Sequence, residues 1–223
     1  MMSEKTVLII GASRGIGLGL VEQSLAEGWQ VTATYRGEAP AVSGVTWCAL
    51  DITDATSQQR FITAVAQQRF STILINAGIY GPEAQRLDQA TDQQLNTLFL
   101  TNTFAPVRLA ERLLPLLEPQ TGVLGFTSSQ MASLAENPDA QMPLYSASKA
   151  ALNMLVRSLL PAAEQQGATL LSLHPGWVQT DMGGSQAPVT VAQSSQGLLT
   201  VLAAATGKQG HHYLDYQGHP LQW

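Results

Sequence analysis

Lys5-Thr-Val-Leu-Ile-Ile-Gly11-Ala-Ser-Arg-Gly15-Ile-Gly17 is the stretch that decides the fold. A short apolar run rich in Val and Ile ends at Gly11. Ile16, Leu20, Val21 and Leu25 then follow at helical spacing and stop at Gly28. Between them lies a glycine loop. Its first glycine permits a tight turn, its second lets the backbone approach a pyrophosphate, and its third allows close helix-to-strand packing, while the helix N-terminus attracts the anion. The spacing is G-x-x-x-G-x-G, not the commoner G-x-G-x-x-G. Such a loop is a weak signal alone; its position as the first strand–helix turn gives it weight.

The alternation continues outward. Strands are expected at Gln30 to Tyr35, Val45 to Leu50, Ser71 to Ile75, Gly122 to Thr127, Ala168 to Leu173 and His212 to Tyr216. Thr56 to Arg69 reads as a helix with Phe61, Ile62 and Val65 on one face. Thr91-Asp-Gln-Gln94 is a capping-box pattern opening a long helix to about Leu117. Tyr145 to Gln166 is a helix with a kink at Pro161, closed by Gly167, and Thr190 caps another. Continuous apolar strands alternating with helices imply a parallel sheet covered on both faces. No linker, repeat or low-complexity tract interrupts the pattern. The expectation is a single α/β, doubly wound Rossmann domain over residues 1–223, with a mainly parallel seven-stranded sheet and helices on both faces.

Composition bounds the function. With 45% apolar and 12% charged residues the chain is not disordered. Amide partly replaces charge, with 22 Gln against 3 Lys. A net charge of −5 argues against a nucleic-acid partner, which needs a basic face. The single Cys48 excludes a disulfide framework and a Cys-rich zinc site. His174, His211, His212 and His219 show no metal spacing, so no metal is expected. Met1 to Ile10 carries too short an apolar run for a signal segment, and nothing approaches the ~18 residues of a membrane span. A soluble cytoplasmic protein without a membrane partner is expected.

The second strand indicates which dinucleotide. An NAD site wants a carboxylate near its end for the ribose 2′-OH. Here the strand ends Ala33-Thr-Tyr-Arg36 without one. Arg36 can pair with a 2′-phosphate, and Arg14 in the loop is a second candidate. Both favour NADP(H).

Tyr145-Ser-Ala-Ser-Lys149 places a phenol and an ammonium four residues apart on one helical face. A phenol pKa of ~10 is too high for proton exchange near neutrality, and lowering it by about three units needs ~4 kcal/mol. A partly desolvated ammonium nearby is a source of that energy. Y-x-x-x-K alone is weak. Pro106, four residues after Asn102, has no N–H, so the Asn102 carbonyl lacks its usual intrahelical donor and can hold a water.

At this point the sequence resembles the short-chain dehydrogenase/reductase family, from about Lys5 to Tyr216. The motifs occur in order: the glycine loop, Asp51, Asn76-Ala77-Gly78, Asn102, Ser128-Ser129, Tyr145-x-x-x-Lys149 and Pro175-Gly176. The resemblance implies a catalytic set of Asn102, Ser129, Tyr145 and Lys149. Tyr145 would be the general acid in carbonyl reduction. Lys149 would bind the nicotinamide ribose and depress the tyrosine pKa, Ser129 would polarise the carbonyl, and the Asn102 carbonyl would hold a relay water. Ser128 is a rival for Ser129, and the register of Gln130 to Ser133 favours Ser129. Cofactor contacts would come from Gly11, Ser13, Arg14, Gly15, Ile16, Gly17, Arg36, Asp51, Ile52, Asn76, Ala77, Gly78, Tyr145, Lys149, Pro175, Gly176, Val178 and Thr180. Tyr80 and Trp177 flank these motifs, where lining a substrate pocket and ordinary packing are equal readings.

Tyr145 follows Ser129 by sixteen positions, more than is usual in the family, so residues 135–141 would form a small protruding loop. That loop, His174-Pro-Gly-Trp-Val-Gln-Thr-Asp-Met182 and Trp223 resemble the carbonyl-reductase-like branch that includes the C-signalling-factor proteins. Met182 to Pro188 is too short for a large cover over the substrate, so an open pocket is expected. The implied activity is NADPH-dependent reduction of a small-molecule aldehyde or ketone. The alternative is an NADP-binding regulatory or signalling protein with little turnover. A homodimer or homotetramer is expected through the two long helices, with Leu109, Leu113, Leu152 and Val156 on their outer faces.

Overall fold

Seven β-strands, β1 (Thr6–Ile10), β2 (Gln30–Tyr35), β3 (Val45–Ala49), β4 (Thr72–Ile75), β5 (Val123–Thr127), β6 (Thr169–His174) and β7 (His211–Asp215), form one sheet in a computed structural model that describes residues 5–223. Their order is β3-β2-β1-β4-β5-β6-β7, and every pairing is parallel. The expectation that Met1 to Ile10 is no signal segment rests partly on residues 1–4, which lie outside the described residues. Among the described residues no helix is long and apolar enough to cross a membrane.

Helices α1 (Gly15–Ala26), α2 (Ala55–Val65), α3 (Asp92–Phe99), α4 (Ala105–Leu113), α5 (Pro143–Ser158), α6 (Leu160–Gln166) and α7 (Val191–Ala204) cover the sheet. Side chains alternate across each strand. Leu8 and Ile10 of β1 thus join a core with Phe61, Phe126, Leu152 and Val156, whereas Val7 and Ile9 join a second core with Leu20, Val21, Leu198 and Leu202. Thr91 and Thr190 form full capping boxes with Gln94 and Gln193 at the starts of α3 and α7.

Three helical expectations change. The second helix is shorter than Thr56 to Arg69, ending at Val65 in α2. The segment from Thr91 to Leu117 is not one α-helix. A π-helical turn, Leu100–Phe104, separates α3 from α4, and Leu114–Leu116 is 3-10. Pro106 has no N–H to give the Asn102 carbonyl, and a wider turn takes up the register there. The Tyr145–Gln166 segment starts earlier, at Pro143, and breaks at Leu159, two residues before Pro161.

A fourth correction concerns assembly. Leu109, Leu113, Leu152 and Val156 do not face outward; all four lie in the core against the sheet. The helices carry one apolar stripe each, and the sheet takes it. The outward argument for pairing through these residues therefore falls. Leu109→Ala should lower unfolding free energy by about 2–5 kcal/mol, as removal of a fully buried leucine does. Urea denaturation measures this; unchanged stability would place the residue at the surface.

Candidate active site

The order of strands reverses between β1 and β4, whose neighbours are β2 and β5. At such a switch point the loops diverge and leave a crevice beyond the strands' C-terminal ends. A groove of about 500 Å³ lies there. Gly11, Ser13, Arg14, Gly15, Ile16, Arg36, Asp51, Ile52, Asn76, Ala77, Gly78, Tyr145, Lys149, Pro175 and Thr180 line it. Five other residues expected at the cofactor or in catalysis, Gly17, Asn102, Ser129, Gly176 and Val178, do not line it; Gly176 is half-buried and the other four are buried.

The glycine loop is held by close approach. Gly11 has φ +84, and a Cβ there would meet the Ala77 backbone at 2.8 Å. A Cβ on Gly17 would lie 2.1 Å from the Gly11 carbonyl. That carbonyl accepts a hydrogen bond from Asn76 Nδ2 at 2.9 Å, and Asn76 Oδ1 accepts from the Thr127 hydroxyl at 2.9 Å. The Thr127 carbonyl in turn accepts from Lys149 Nζ at 2.7 Å. One line of hydrogen bonds thus runs from the loop after β1, through the ends of β4 and β5, to α5. An ammonium has three protons; Lys149 directs one at Thr127 and lines the groove, so two are available to a ligand.

Tyr145 stands one turn before Lys149. The Lys149 ammonium lies 5.9 Å from the Tyr145 ring centroid. The Tyr80 ring stacks on the other aromatic at 6.3 Å and 21°. Burial pushes the Tyr145 pKa up to about 12, against a smaller lowering by the Ser129 hydroxyl. Burial pushes Lys149 down to about 8. Loss of water around the hydroxyl thus outweighs the Ser129 hydrogen bond, and in this structure the phenol pKa stands above its ordinary value, not below it. Ser128 instead donates to Asn153 Oδ1 at 2.7 Å, away from Tyr145.

Asn102 is fully buried and its side chain clamps the loop after β4. Its Oδ1 accepts from Ile79 N and its Nδ2 donates to the Ile79 carbonyl, both at 2.8 Å. Tyr80 lines a second hollow of about 540 Å³ with Gly81, Pro82, Gln93, Gln94, Thr97 and Met182. Trp177 is 58% exposed and donates its indole N–H to Gly183 O, so it lines neither hollow. The 135–141 loop is tied down by Asn137, which bonds Gln141 in both directions.

The two arginines part company. Arg36 stands at the groove end beside Asp51, whose carboxylate accepts from the Thr53 hydroxyl; that bond first, and Arg36 less, lowers the Asp51 pKa. Arg14 reaches across the groove mouth to Asp181, 2.8 Å away, with both side chains exposed.

Several contributors were not legible in the sequence. Thr127 links Asn76 to Lys149. Gln85 accepts from the Tyr145 backbone N–H at 2.9 Å. The Tyr213 hydroxyl donates to the Ser129 carbonyl, and Trp223 packs on the Tyr213 ring at 5.0 Å. No motif marks these residues, because each acts through a contact between distant segments.

The profile of short chain dehydrogenases matches residues 5–189, and the chain belongs to that family. It is 35% identical over 164 residues to the C-signal of Myxococcus xanthus, covering 73% of this chain and 98% of that protein. A carbonyl reductase from Pseudomonas aeruginosa PAO1 in complex with NADP is 42% identical, with a TM-score of 0.90 over 99% of this chain and 100% of that one. A short-chain dehydrogenase/reductase from Burkholderia multivorans with bound NADP has a TM-score of 0.93 at 32% identity, over 99% of this chain and 100% of that one.

The buried ammonium sets a pH dependence of stability. Below pH 8 Lys149 is charged in both folded and unfolded chains, and the fold bears its full desolvation penalty. As pH rises from 8 toward 10.5 the folded chain loses this proton first and the penalty is relieved. The melting-temperature difference between Lys149→Met and wild type should therefore shift toward wild type across that window. Calorimetry on both sides of it measures the difference; a constant gap would contradict a buried, strained charge.

Proposed function

We propose that this protein is an NADPH-dependent carbonyl reductase that converts an aldehyde or ketone to an alcohol. The observation that carries the reading is that Tyr145, with the Ser129 hydroxyl bonded to it, and Lys149 line the same groove as Arg36. The residues suit the cofactor. The glycine loop leaves no Cβ in the way, the α1 N-terminus faces the groove, Arg36 suits a 2′-phosphate, and Lys149 has protons to give a ribose. The bound NADP of the Pseudomonas and Burkholderia proteins supports the same choice.

Bound NADPH supplies the hydride. Ser129 and Tyr145 hold the substrate carbonyl oxygen by hydrogen bonds, which polarises the bond under attack. The Tyr145 hydroxyl gives its proton to that oxygen as negative charge develops. The phenol is protonated at neutral pH, the form an acid needs, and the Lys149 charge beside it would ease loss of the proton as the substrate oxygen takes it. Lys149 holds the ribose and neutralises the phenolate left behind. The Asn102 carbonyl, with no N–H on Pro106 to accept from, would hold a water that returns a proton to Tyr145.

The experiment is a panel of aldehydes, ketones and quinones with NADPH, followed by nicotinamide absorbance, for wild type and Tyr145→Phe. Wild type should turn over at least one class. The variant should bind NADPH unchanged and lose ~10²-fold or more in rate. Wild-type rates in the variant would remove the general acid and favour a binding or signalling role.

A further inference from the structure

We infer that Gln85, sixty residues upstream of Tyr145, is a positioning residue that caps the catalytic helix. The inference takes Tyr145 as the proton donor, but the cap itself is read from geometry alone.

Helix α5 starts without a local cap. Its N-cap residue, Met142, has no side-chain cap bond, and Pro143 has no N–H. Tyr145 is the third residue of the helix, so its N–H has no intrahelical acceptor. Gln85 supplies one: its Oε1 accepts from Tyr145 N at 2.9 Å. The same amide donates from Nε2 to the Tyr80 carbonyl at 3.1 Å and the Pro82 carbonyl at 2.8 Å. Both donors and an acceptor site of the amide are thus used. One buried side chain ties the start of α5 to the loop that carries Tyr80, whose ring stacks on Tyr145.

The backbone at this position is unfavourable for glutamine. Gln85 has φ +47, in the left-handed region where a glycine is easier. A strained residue persists where the surroundings over-determine it. Here the surroundings are three side-chain hydrogen bonds that a glycine could not make. Shorter side chains would not span Tyr80, Pro82 and Tyr145 together. Holding both the backbone of Tyr145 and the wall against its ring fixes where the phenol hydroxyl stands relative to Ser129 and Lys149.

The test uses Gln85→Met, which keeps the length and loses the hydrogen bonds, and Gln85→Gly, which suits the backbone and loses the side chain. Amide hydrogen exchange at Tyr145 reads the cap directly. It should quicken ~10-fold in both variants, the size of one typical hydrogen bond. With NADPH and para-nitrobenzaldehyde as probe, kcat should fall ~10-fold and the isotope effect from deuterated NADPH should grow, with KM for NADPH unchanged. A merely structural role would reduce the folded fraction and leave the isotope effect as it was. Unchanged Tyr145 exchange in both variants would overturn the cap. Wild-type kcat and isotope effect in both, with Tyr145→Phe inactive, would overturn the positioning role. Turnover retained in Tyr145→Phe would instead strike the functional reading, and exchange would still decide the cap.

Discussion

Lys149 donates to the Thr127 carbonyl from a buried position, and the remainder of the site hangs on that bond. An ammonium taken out of water is expensive unless its protons find acceptors. The strand end supplies one, which fixes α5 against β5. Thr127 then passes the constraint through its hydroxyl to Asn76, and Asn76 passes it to the Gly11 carbonyl. The glycine loop and the helix that carries Tyr145 and Lys149 are therefore positioned by one chain of contacts. A parallel sheet makes this possible, because the C-terminal ends of β1, β4 and β5 emerge side by side.

Burial has opposite effects on the two titrating groups. It raises the phenol, which stays protonated at neutral pH but gives its proton up less readily until charge is placed beside it. It lowers the ammonium toward neutrality, so a negative ligand or a phenolate beside it gains more from its charge than it would in water. Access is shaped by loops. The Asn102 side chain holds Ile79, and Gln85 holds Tyr80 and Tyr145, so the loop after β4 is tied both to the π-helical turn and to the start of α5.

The sheet was legible because its strands are nearly continuous apolar runs, and the glycine loop because its spacing is local. Helix interruptions were harder. Pro106 signals a disturbed carbonyl, but not whether the helix bends or widens into a π turn. Leu109, Leu113, Leu152 and Val156 were read on the wrong side, since periodicity marks a stripe and not what covers it. Thr127, Gln85 and Tyr213 have no local signature, and their contacts span from 22 to 84 residues. Arg14 was read as a second candidate for the 2′-phosphate; its ion pair with Asp181, 167 residues away, has no local signature.

The most direct test of the central claim is a crystal structure of the protein with NADP. The account predicts the nicotinamide between Tyr145 and the Pro175 to Thr180 segment, its ribose on the Lys149 ammonium, and the 2′-phosphate on Arg36. A nicotinamide turned away from Tyr145, or a ribose without a bond to Lys149, would contradict it.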